Sequence, residues 1–174
     1  MKKWSYIRNK LENEYLAESL RGHIGYYVTT YSRSPDHEGR AAICLDGREI
    51  LKGNYYNQWN KAELYPHDEK YESRMKKEHP FMDEVAMNLG LFDQRSFYQA
   101  FQEFHNQSID ESLTSENLLI KIFALLDRRV GKRRLIKMKS EILKESEVIQ
   151  LFYSIRIKAE GMWTCPLYPP GGNN

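Results

Sequence analysis

Cysteine is nearly missing from this chain: Cys44 and Cys165 are the only two in 174 residues. Two thiols this far apart, with no CxxC pair, exclude a disulfide framework and a cysteine-rich zinc fold. No apolar run approaches the roughly 20 residues that a membrane-crossing helix needs. The opening Met1-Lys2-Lys3-Trp4-Ser5 is followed by no apolar stretch of roughly 7–15 residues, so no signal peptide is read and a cytoplasmic location is expected. Catalytic motifs are missing too. There is no HExxH, GxSxG or GxGxxG, and Gly131-Lys132 is followed by Arg133 where a phosphate-binding loop needs Ser or Thr. His23, His37, His67, His79 and His105 fall at no ligand spacing, so no metal and no cofactor is expected.

What is present is an ordinary globular composition. Charged residues make up 29% and apolar ones 41%, and the 12 Tyr, 7 Phe and 3 Trp argue against disorder. The length favours one domain with a real core.

The chain reads as α+β: an N-terminal helix on a small three-stranded antiparallel sheet, followed by a helical C-terminal half. Trp4, Ile7, Leu11 and Tyr15, widened by Leu16 and Leu20, predict an amphipathic helix over the first twenty residues, stopped by Arg21-Gly22. Strands are expected at 24–31, 40–45 and 48–52. Asp46-Gly47 is a hairpin turn that sets Leu45 opposite Arg48, Ile43 opposite Ile50 and Ala42 opposite Leu51. Helices are expected at 67–78 and after Pro80, then behind Asp93 as a cap, with Phe97, Phe101 and Phe104 inward. Ser115 is the expected cap of the longest helix, whose inner face carries Leu119, Ile122, Phe123, Leu126 and Val130. A last helix carries Val148, Leu151, Phe152 and Ile155 and ends near Gly161. The domain reading is therefore one unit over 1–161, with 1–53 as helix plus meander and 67–161 as the helical part, and an extended Pro/Gly-rich tail at 162–174.

Charge is unevenly placed. From Arg128 onward ten Lys/Arg face four Asp/Glu, although the whole chain is only +2. Arg128, Arg129, Lys132, Arg133 and Arg134 concentrate it. On one helix, Arg129, Lys132 and Arg133 would form a cationic face able to grip phosphates or an acidic surface. The structural alternative has two parts. Last-turn cations favour a helix dipole, or the segment pairs with residues 78–116, which hold eight acids and a single cation, Arg95.

A second cluster, Asp36, His37, Glu38 and Arg40, stands at a hairpin tip. Those groups suit acid–base work or a metal, but turn chemistry explains them as well, with Gly39 expected at positive φ. The aromatic stretch at 55–71 suits base stacking, a core edge or an interface.

Four stretches carry a family resemblance: Ser19-Leu20-Arg21-Gly22, residues 31–40 with their Asp36-His37-Glu38-Gly39-Arg40 core, residues 45–50, and residues 127–135 with Phe152-Tyr153 and Ala159-Glu160-Gly161 downstream. In these the chain resembles a family of small bacterial proteins known by a locus-style label rather than an activity. The resemblance runs to Gly161 and implies a cytoplasmic bacterial protein without supplying catalytic residues. The functional expectation is a protein-interaction module, immunity- or defence-associated, that docks an acidic protein through the basic segment. The alternatives are nucleic-acid binding by the region Arg128 to Lys139, or an enzyme built on the loop from Asp36 to Arg40. Nothing in the sequence fixes an oligomeric state.

Overall fold

The structure is a computed structural model that describes residues 3–30, 39–53 and 92–162. The readings at 67–78, after Pro80, at 55–71 and in the tail beyond Met162 lie outside the described residues.

The fold class is the expected one. Helix α1 (Trp4–Asn9) continues as a π-helical stretch, Lys10–Tyr15. It does not reach residue 20. Leu16 turns extended and forms an isolated antiparallel bridge to Asp127, so a distant partner ends the helix before Arg21-Gly22 can. A short 3-10 turn, Glu18–Leu20, leads into the sheet.

The sheet is a meander of order β1-β2-β3, with β1 at Ile24–Val28, β2 at Ala41–Leu45 and β3 at Arg48–Gly53. Asp46 and Gly47 both have positive φ (50° and 76°), as a two-residue primed turn requires. The turn delivers the expected Leu45–Arg48 pair. Beyond it the expected register fails by one residue. A bulge leaves Ile50 unpaired, so Ile43 faces Leu51 and Ala42 faces Lys52. The cause is burial: the bulge puts Leu51 beside fully buried Ile43 on the core side. On the outer edge, the Tyr26 N–H donates to Glu12 Oε1 at 2.9 Å, which covers part of β1's open ladder.

The helical half holds α2 (Gln94–Asn106), α3 (Ile109–Leu113), α4 (Leu118–Leu126), α5 (Lys132–Ile142) and α6 (Glu147–Ala159). Asp93 caps α2 as expected, accepting from the Ser96 N–H, and Phe97, Phe101 and Phe104 are buried. Asn117, not Ser115, caps α4, because its Oδ1 reaches the Leu119 and Ile120 N–H groups. Helix α4 is buried on nearly every side and packs against α2, α3 and α6. Phe123 on α4 meets Tyr26 of β1, and Phe97 and Phe104 of α2, so one core joins sheet and helices. On α6 the inward face is Ile149, Phe152, Tyr153 and Arg156, while Leu151 is exposed. That rotates the expected stripe, because Arg156 is drawn inward to the Val130 carbonyl and Tyr153 donates to the Leu135 carbonyl. Among the described residues, no helix is long and apolar enough to cross a membrane.

Candidate docking site

The basic segment does not sit on one helix. Helix α4 stops at Leu126, residues 127–131 form a turn, and α5 begins at Lys132. The break is tertiary in origin. The Ala17 N–H donates to the Leu126 carbonyl (3.0 Å), and the Arg128 N–H donates to the Tyr15 carbonyl (2.7 Å). Those two bonds form the Leu16–Asp127 bridge and consume groups that would otherwise extend the ladder of α4.

Asp127 organises the turn. Its fully buried carboxylate accepts from the Arg129 backbone N–H at 2.7 Å and from Arg129 Nε and Nη2 at 3.0 and 2.8 Å. The guanidinium also lies over the rings of Tyr15 and Phe104. Hydrogen bonding to Asp127 holds the Arg129 pKa above its ordinary value. Tyr15 extends the contact, its hydroxyl 2.6 Å from His105 Nδ1, and burial pushes its pKa up. Arg129 is thus a fastener between the turn and the N-terminal segment. Tyr15, His105 and Asp127 carry no functional motif in sequence; the two-residue spacing of Asp127 and Arg129, which suits an Asx-type turn, is the one local sign.

The remaining four cations divide. Lys132 Nζ donates to the Glu160 carbonyl at 3.0 Å. Arg134 pairs with Asp110. Among the described residues, the exposed Arg128 and Arg133 side chains have no partner. Among the described residues, the expected pairing with the acidic stretch is seen at Arg134 and Asp110. Other acids there are used locally: Asp93 caps α2, Glu111 closes a capping box with Ser108, and Glu103 accepts from Gln99.

The structure also reverses the expected dipole argument. Lys132, Arg133 and Arg134 occupy the first turn of α5, not the last turn of α4. No acid stands in that turn, and Gly131 at the N-cap offers no side-chain acceptor. Cations there oppose the helix dipole, by roughly 0.3–1 kcal/mol each at an exposed position. The fold therefore gains nothing from their dipole interaction. Further along, Arg133, Ile136, Lys137 and Ser140 line an exposed face at helical spacing. Ile136 is 63% exposed and Leu143, just past the helix, 50%. Leu135 and Ile142 anchor the opposite face in the core.

The hairpin loop gives less. Asp36, His37 and Glu38 lie outside the described residues. Arg40 pairs with Glu49 and lies over the Tyr27 ring. Gly39 is not at positive φ. It is glycine because an added Cβ would stand 1.6 Å from the Thr29 carbonyl oxygen. Among the described residues no group of three or more His, Cys, Asp or Glu side chains is placed to hold a metal.

In this α+β chain the basic turn thus begins an exposed helix that mixes aliphatic and cationic side chains. The chain belongs to the SF0329 protein family, whose model matches residues 3–157. No curated protein and no solved structure shows significant similarity to it.

Proposed function

We propose that this protein is a bacterial, cytoplasmic interaction module, immunity- or defence-associated, that docks an acidic protein surface through the outer face of α5. One observation carries the reading: an uncapped helix start made only of cations runs into a face where Ile136 and Leu143 stand exposed among Arg133, Lys137 and Lys139. The dipole penalty is offset once carboxylates approach the helix start. Exposed aliphatics within a cationic rim match a protein partner with an apolar centre and an acidic border. Arg128 contributes to the rim. Arg129 supports the turn from behind, while Lys132 and Arg134 are already tied to Glu160 and Asp110.

A second reading has its own support. Exposed N–H groups at a helix start, beside Arg128 and Arg133, are also phosphate donors, which suits a nucleic acid.

The test begins with capture from native lysate, with and without nuclease, followed by binding of the purified partner. Arg133→Glu with Lys137→Glu is expected to weaken binding at least about tenfold, mainly by slowing association, without lowering the melting temperature, since an acid in the first turn favours the helix dipole. Gly131→Asp is the sharper variant. It supplies a cap and an acid where both are missing, so it should raise the melting temperature by about 1–3 °C and weaken docking. Nuclease-sensitive capture, with affinity falling steeply in salt, would favour the nucleic-acid reading. Partner binding indifferent to both variants would refute the α5 site.

A further inference from the structure

A cavity of about 350 Å³ lies at the outer edge of β1, away from α5. Its walls come from α1 and the π-helical stretch after it, from the turn before β1, and from the hairpin turn. Gly25 and Cys44 are cross-strand partners and both line it.

Gly25 is the informative residue. It sits inside a strand, where glycine weakens the sheet, by roughly 0.5–1 kcal/mol relative to alanine. Its φ is not positive, so the backbone does not demand glycine. An added Cβ would meet only Glu12 Oε1, at an ordinary 3.7 Å, so neighbouring atoms do not demand it either. Neither turn geometry nor close packing accounts for it. What the missing side chain does is leave the cavity open.

The charges around that opening are unequal in availability. Glu12 is committed: it accepts from Arg8 Nε at 3.0 Å and from the Tyr26 N–H. Asp46 is held by His23 Nδ1 at 2.7 Å. Arg8 keeps both Nη groups without a partner among the described residues. Arg21 gives Nη2 to the Asn13 carbonyl at 3.0 Å and keeps its other donors. The engaged groups are mostly acceptors, and the groups left over are guanidinium donors and His23 Nε2.

We propose that this cavity binds a small anion, its carboxylate or phosphate group held by Arg8 and Arg21 beside Gly25 and Cys44. Both groups present coplanar or clustered oxygens that guanidinium donors match. The site is independent of the α5 docking face.

Cys44 provides the probe. Burial pushes its thiol pKa up, so alkylation by iodoacetamide is followed at about pH 9 in a Cys165→Ser background. Inorganic phosphate or succinate at about 10 mM, against sodium chloride of equal ionic strength, is expected to slow alkylation at least about threefold. Protection by phosphate alone identifies a phosphate ligand, and protection by succinate alone a carboxylate. Arg21→Gln should remove the protection. Gly25→Ala should also remove it while raising the melting temperature by about 1–3 °C. Three results would each overturn the proposal: no protection beyond chloride, protection untouched by Arg21→Gln, or a lower melting temperature for Gly25→Ala, which would make the glycine structural.

Discussion

Asp127→Ala is expected to lower the melting temperature by roughly 6–12 °C, equivalent to about 3 kcal/mol for a chain of this size. The carboxylate has no exposed surface and carries the backbone and side-chain bonds of Arg129. Its loss removes the acceptor that shapes the turn between α4 and α5. It also releases the guanidinium from Tyr15 and Phe104. The Arg129 side chain is 40% exposed and can be rehydrated, which keeps the cost below that of a fully buried broken pair. Arg129→Met should also destabilise, because it strands the buried Asp127 charge. The double variant should recover part of the loss, since neither charge is then left alone. Thermal melts of the four proteins measure the coupling. A drop under about 2 °C for Asp127→Ala would show that the pair does not hold the turn, and would return Arg129 to the docking surface.

That coupling explains which parts of the molecule were legible in sequence. The Asp46-Gly47 turn, the Asp93 cap and the Phe97, Phe101, Phe104 stripe are written in residues that act on their neighbours. Local rules find them. The end of α1 and the end of α4 are written in each other. Leu16 looks helical until Asp127 is placed beside it, and Asp127 continues a helical stripe until Ala17 and Tyr15 take the backbone groups of its neighbours Leu126 and Arg128. No window of adjacent residues contains that pair. The same applies to β3. The two-residue turn predicts Ile50 opposite Ile43, but the core selects Leu51, and one bulged residue reconciles the two. On α6, Arg156 reads as a surface cation at its position in sequence. It is 3% exposed because Val130 and Glu160 lie within reach of its guanidinium, and desolvation lowers its pKa. The candidate site follows the same division. Its composition was visible, but its split into Arg129 as a fastener and Arg133 as an outward cation depends on where the turn falls.

Phe123→Ala is expected to cost about 4 kcal/mol, a fall of roughly 8–16 °C in melting temperature. The ring is 2% exposed and contacts Tyr26 on the sheet as well as Phe97 and Phe104 on α2, with centroids 5.9, 5.2 and 5.7 Å away. Removing it opens a cavity where sheet and helices meet. Its neighbours cannot close that cavity readily, because Phe97 and Phe104 also hold Trp4 and Tyr15 respectively. The shape of the transition matters as much as its midpoint. If residues 1–53 and the later helices form one cooperative unit, β1 amides and α2 amides should lose hydrogen-exchange protection together in the variant, and unfolding should stay a single step. If the meander is a separate unit resting on a helical bundle, α2 and α4 should keep most of their protection while β1 loses it. The three ring contacts and the continuous core favour the first outcome. Protection lost in β1 alone, with α2 intact, would divide the chain in two.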